Sequence, residues 1–144
     1  MTSKKDILQL WYDEVWSNGN LDMIDKLFSP DTIAEGIMPD MHMGPDDMRD
    51  LIFAVRELVG PIKVTLPIAI EQGDWLAAVM VVNTTRGDNG GPVLVTGQVM
   101  TRFDGDKMVE AYNQFDFMSF FEQLGQMPPQ SIPVCMAGQQ LAWA

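Results

Sequence analysis

The chain has 144 residues, 47% hydrophobic and 20% charged, the balance of one globular domain able to bury a core and a small pocket besides. Twenty acidic against nine basic side chains give a formal charge of −11, which argues against nucleic acid and anionic lipid surfaces as partners. A single cysteine, Cys135, permits no internal disulfide, and Cys135 with the only histidine, His42, cannot make up a structural zinc site.

The N-terminal MTSKKDILQLWYDEVW has an acidic residue at Asp6 and no long apolar run, so neither a signal peptide nor a membrane span is expected and the cytoplasm is the expected location. Ser3 with Asp6 approximates a capping box. Ile7, Leu8, Trp11 and Val15 then fall on one helical face before Asn18-Gly19 stops the helix. Asn20 can cap a second short helix whose Leu21, Ile24, Leu27 and Phe28 share a face and which Ser29-Pro30 ends. An extended piece around Thr32 to Ile37 follows. Gly44-Pro45-Asp46 opens a third helix, with proline in the first turn and acid where the helix dipole favours it; Met48, Leu51, Ile52, Val55, Leu58 and Val59 form its stripe.

Four β-rich runs come next: Ile62 to Glu71, Trp75 to Arg86, Pro92 to Phe103 and Lys107 to Phe117. Their connectors are short and rich in Gly, Asp and Asn, which suits hairpins and leaves no room for crossover helices, so an antiparallel meander is expected. Helices first and a meander afterwards indicate one α+β domain over residues 1–144. In Trp75 to Val82 both alternating sets of residues are apolar, so each face of that strand needs a cover. The helices can supply one. For the other, a second copy of the chain is the simplest candidate, and a folded-back C-terminal segment the alternative. The tail from Ser131 to Ala144, with Ile132, Val134, Met136, Leu141 and Trp143, is apolar enough to be expected to pack on the subunit or its partner.

Chemistry concentrates in the fourth strand and just after it. Alternation groups Glu110, Tyr112, Gln114 and Asp116 on one face and Val109, Ala111, Phe115 and Phe117 on the other. The polar face suggests a lined cavity, with solvent exposure of the same face as the competing reading. Asp116, between Phe115 and Phe117, stands at a strand-to-helix junction, where it either caps the next helix or carries protons in an apolar cavity. His42 lies in the loop before the third helix, either solvated or at the pocket, and an imidazole suits proton transfer near neutrality. Gln98 and Asn113 can donate hydrogen bonds to a carbonyl. The twelve methionines suit a variable aromatic ligand or ordinary core filling. Nucleophile elbows, phosphate loops and His/carboxylate metal clusters are absent from the sequence, so no metal site is expected.

Three stretches, LWYDEVWSNGNLDMIDKLFSPD, GPDDMRDLIFAVRELVG and GDKMVEAYNQFDFMSFFEQLGQMP, carry a resemblance to the SnoaL-like polyketide cyclases of the NTF2-like superfamily, over residues 1 to about 128. The resemblance implies a cone: N-terminal helices packed on a strongly curved antiparallel sheet. It implies a cofactor-independent enzyme that closes a ring by intramolecular aldol chemistry on a small hydrophobic or aromatic carbonyl compound, with neither metal nor organic cofactor. The family pattern places Glu110, Tyr112, Asp116, Gln123-Leu124-Gly125 and Pro128, and makes Asp116 the inherited acid/base. Tyr12 and Trp16 have the spacing the family uses for aromatic side chains at the pocket, with Tyr112 or Asn113 expected to hold an enolate oxygen. Ala111 stands where histidine is frequent, Tyr112 where tryptophan is usual, and Pro92 to Phe103 contains no histidine. A non-catalytic ligand-binding protein and a dimeric interaction module are the alternative functions.

Overall fold

The computed structural model describes residues 2–142. The expected capping box forms: Ser3 Oγ accepts the Asp6 N–H at 3.1 Å and starts helix α1, Lys4–Leu10. The helix does not run on as α to Asn18. From Trp11 to Ser17 it widens into a π-helix, closed when the Asn18 N–H reaches the Asp13 carbonyl five residues back at 3.0 Å. The Arg56 guanidinium donates to the carbonyls of Trp16 and Ser17, capping the acceptors that this end leaves free.

A 3₁₀ turn, Leu21–Met23, leads into α2, Ile24–Leu27, which is shorter than its apolar stripe suggested. Phe28 already belongs to strand β1, Phe28–Glu35, so the extended piece foreseen near Thr32 is a full edge strand with Pro30 inside it. Proline is tolerated there because the register shifts between Phe28 and Ile33 and an edge position demands fewer N–H donors. Helix α3, Pro45–Leu58, follows, with the Asp47 carboxylate accepting the Gly44 N–H at 3.0 Å. Strands β2 (Lys63–Gln72), β3 (Trp75–Thr85), β4 (Pro92–Asp104) and β5 (Lys107–Phe115) form the expected antiparallel meander. The sheet order is β1-β5-β4-β3-β2, and β1 lies parallel to β5, which the hairpin reasoning did not foresee. Register shifts in β1, β2 and the β4–β5 pair help an unclosed sheet curl around the helices.

Alternation in β4 sends Val93, Val95, Val99, Thr101 and Phe103 into the concave side and Leu94, Thr96, Gln98 and Met100 outward. Against the concave side pack Leu8, Trp11, Tyr12 and Val15 of the first helical segment and Met48 and Ile52 of α3. Trp11 stacks on Phe28 at 4.4 Å between ring centroids, fastening the helical layer to the β1 edge. Helix α4, Phe117–Gln123, adds Phe117 and Phe120 to the cavity lining, with Phe120 buried. In the tail, α5 spans Ser131–Met136; Ser131 is buried and its N–H reaches the Glu122 carboxylate at 3.1 Å, but Ile132 is exposed and Met136 is 84% exposed. Trp143, part of the expected tail contact, lies outside the described residues.

Candidate functional site

Between the concave sheet and the helices lies a cavity of about 110 Å³. Its inner wall is made by Leu8, Tyr12, Val64, Met80, Val99, Thr101 and Met108, all buried. The half-buried members of its lining include Trp16, Ile37, Leu51, Val55, Asn113 and Phe117, contributed by the π-helix, the loop after β1, α3, β5 and α4.

The polar groups of this lining are few. Thr84 and Thr101 spend their hydroxyls on the carbonyls of Gly60 and Glu110, at 3.1 Å each. Asn113 Nδ2 donates to the Glu35 carbonyl at 3.2 Å. Tyr12, only 6% exposed, directs its hydroxyl at Met80 Sδ at 3.6 Å. A thioether sulfur is a weak acceptor, so this donor keeps most of its capacity for an oxygen. Burial pushes the Tyr12 phenol well above its ordinary value and keeps the proton on it. Among the described residues no carboxylate and no imidazole belongs to the lining.

The structure thus gathers three of the expected site residues, Tyr12, Trp16 and Asn113, around one cavity. It places the others elsewhere. The β5 residues that face inward are Ala111, Asn113 and Phe115, so the polar set of Glu110, Tyr112 and Gln114 turns to the outer face of the sheet, the reverse of the assignment read from polarity. There the Tyr112 hydroxyl donates to Glu110 Oε2 at 2.7 Å and its ring stacks on Trp75 at 6.2 Å. The bond to Glu110 raises the Tyr112 phenol above its ordinary value, while the Tyr112 and Arg102 contacts hold the Glu110 carboxyl below its own. Gln98 faces Gln114 across the β4–β5 pair on the same outer side. Asp116 is exposed beside them and is the N-cap of α4, its Oδ1 accepting the Ser119 N–H at 3.0 Å.

His42 sits in a groove on the outer side of the sheet, formed by Glu35, by the loop Gly36 to His42 and by Gln114. Its Nδ1 pairs with Oε1 of Glu35, a residue the sequence did not single out. The pairing follows from backbone geometry: Ala34 and Met43 exchange hydrogen bonds at 2.8 and 2.9 Å, which sets their neighbours Glu35 and His42 side by side. The alternation Met41-His42-Met43, with Met43 buried, was the available sign that this loop returns as an extended segment. Ile37 belongs to the groove and to the cavity lining alike. Among the described residues no three His, Cys, Asp or Glu side chains group as a metal site, and no helix is long and apolar enough to cross a membrane.

Comparison with known proteins agrees with this architecture. The family model described as SnoaL-like polyketide cyclase matches residues 6–124. Among solved structures the chain is similar to a candidate polyketide cyclase from Acidithiobacillus ferrooxidans, at 19% identity and a TM-score of 0.71 over 88% of this chain and 97% of that one. It is similar to IdmH, a candidate polyketide cyclase from Streptomyces antibioticus, at 20% identity and a TM-score of 0.74 over 85% and 99%. A third is a protein of ketosteroid isomerase-like fold from Catenulispora acidiphila, in complex with trimethylamine, at 18% identity and a TM-score of 0.72 over 85% and 95%. At such identities the structural likeness speaks for the fold. No curated protein matches the chain significantly. The match of the family model across most of the chain establishes that this protein belongs to the SnoaL-like polyketide cyclases.

Proposed function

We propose that the protein binds a small aromatic carbonyl compound with its ring in the cavity and an oxygen at its inner end accepting the Tyr12 hydroxyl. The reaction is of the family's kind, an intramolecular ring closure or a related proton transfer beside a carbonyl. In a ring closure, carbon beside one carbonyl loses a proton, the enolate attacks a second carbonyl of the same molecule, and the new alkoxide takes a proton. The reading calls on no metal or organic cofactor.

The observation that carries it is the Tyr12 hydroxyl, a buried donor facing a thioether inside a largely apolar wall. Water is a poor tenant of such a space, whereas an apolar ring gains from leaving solvent. Size limits the ligand: at about 110 Å³ the cavity is smaller than the roughly 150 Å³ that holds a benzene ring dry, so at most one ring enters and the rest of the molecule stays at the rim.

The test is a binding comparison of 2-indanone with 5-hydroxy-2-indanone, which differ by one oxygen at the end remote from the ketone. Wild-type protein should prefer the hydroxylated compound by about fivefold, the worth of one hydrogen bond of ~1 kcal/mol. Tyr12→Phe should bind both equally. A preference that survives in Tyr12→Phe, or failure of the wild type to bind either compound, would overturn the reading.

A further inference from the structure

At about 110 Å³ the cavity admits at most one ring, so the spacing of its walls decides which rings enter. One wall is the sheet, held by its hydrogen-bond ladders. The other is the helical layer, where the π-helix brings Trp16 and α3 brings Leu51 and Val55 to the lining. We infer that Arg56 fixes the spacing between these two helical segments and so sets how wide a ring the cavity accepts. It acts through Trp16 and is a positioning residue. This rests on the ligand-binding reading above.

The guanidinium reaches across from α3. Its Nη1 donates to the Ser17 carbonyl at 2.8 Å and to the Trp16 carbonyl beside it. Among the described residues these are the side-chain hydrogen bonds that join α3 to the π-helix; Arg49, the other arginine of α3, turns to Asp25 and Asp46 instead. Both ends of the tie stand at the cavity. Trp16 lines it, and so does Val55, the residue before Arg56. Loss of the tie therefore frees two lining side chains to move apart, on the side of the cavity that no β-ladder holds.

The local chain is built around this group. A helix ends with carbonyls that no later turn takes up, and π-helical turns are rare outside functional sites. The Asn18 and Asn20 N–H groups take the carbonyls of Asp13 and Glu14, at 3.0 and 2.8 Å, and those of Trp16 and Ser17 go to the arginine. A cation suits that end of the helix dipole, and bonds from a charged donor are stronger than neutral ones. Gly19, at φ +70°, reverses the chain where a Cβ would stand 2.8 Å from Arg56 Nη2, so the turn leaves room for the guanidinium.

The probes are 5-hydroxy-2-indanone and its 7-methyl derivative, whose aromatic ring is wider by one methyl group. Dissociation constants are measured by calorimetry and stability by urea denaturation. Wild-type protein should prefer the narrower compound by roughly tenfold, the low end of what one misfitting carbon is worth in an apolar pocket. Arg56→Gln should bring the ratio close to one. Arg56→Lys, which keeps the charge on a more flexible stem, should fall between the two. A role in stability alone would weaken the fold and leave the ratio where it was. An unchanged ratio in Arg56→Gln overturns this inference, and if Arg56→Gln does not fold, an unchanged ratio in Arg56→Lys does so by itself. A wild type that binds both probes equally overturns it as well. In each of these cases the cavity reading stands. Failure of the wild type to bind either probe removes both.

Discussion

The carboxylate of Asp116 accepts the backbone N–H of Ser119 at 3.0 Å, so the charge set between Phe115 and Phe117 holds the first turn of α4. Its neighbours Phe115 and Phe117 turn inward and meet edge to face at 4.8 Å. Asparagine caps a helix about as well as aspartate, while alanine does not. Asp116→Asn should therefore keep wild-type stability and probe affinity, and Asp116→Ala should lose about 1 kcal/mol in urea denaturation. An Asp116→Asn variant as destabilised as Asp116→Ala would contradict the capping role.

Gly36 is predicted to tolerate no side chain. Its positive φ already strains any other residue, and the Cβ has no room beside the Asn113 carbonyl. Gly36→Ala should cost more than about 1 kcal/mol. Wild-type stability in Gly36→Ala would show that the close approach to β5 is not required.

Tyr12 makes stability depend on alkaline pH. Burial raises its folded-state pKa above the ordinary 10.0, so the folded chain keeps a proton that the unfolded chain releases. Above pH 10 the unfolded state binds fewer protons than the native state, and stability falls as pH rises. Urea midpoints at pH 9 and pH 11 should differ less for Tyr12→Phe than for the wild type. Equal losses in the two proteins would contradict the burial of an un-ionised phenol.

The outer face of the sheet carries Ala77, Val79 and Val81 with Ile68, Ile70, Leu94 and Met100, and Ile70 is 65% exposed. We propose that a second copy covers this face, since a face so apolar on an otherwise acidic surface is costly to leave in water. Sedimentation equilibrium at micromolar concentration should give twice 16.1 kDa, and Met100→Glu with Ile70→Glu, both at exposed positions, should give monomer. A wild-type mass of 16.1 kDa would dismiss the pairing.

How much of this was legible depended on whether a signal was local. The hairpins were, because Gly73 and Gly105 supply the positive φ that their tight connections need. So was the capping role open to Asp116, which needs only a helix three residues on. Polarity left the faces of β5 open between a lined cavity and solvent exposure, and the structure turns the polar face outward. The inside of this cone is apolar, so Ala111, Asn113 and Phe115 face inward and the polar set faces out. The Glu35–His42 pair could not be read at all without the Ala34–Met43 bridge, and the parallel pairing of β1 with β5 joins segments about 80 residues apart. Nothing in WYDEVWS foretold a π-helix, and the structure puts Tyr12 and Trp16 of that segment among the residues that line the cavity.

The most direct measurement is ¹³C-methyl NMR of methionine-labelled protein titrated with 5-hydroxy-2-indanone. Met48, Met80 and Met108 line the cavity, while Met100 and Met118 lie on the outer side. Saturable shifts are expected at Met48, Met80 and Met108, largest at Met80 where the ligand oxygen displaces the Tyr12 hydroxyl from sulfur. Shifts confined to Met100 and Met118, or none at saturating ligand, would contradict it.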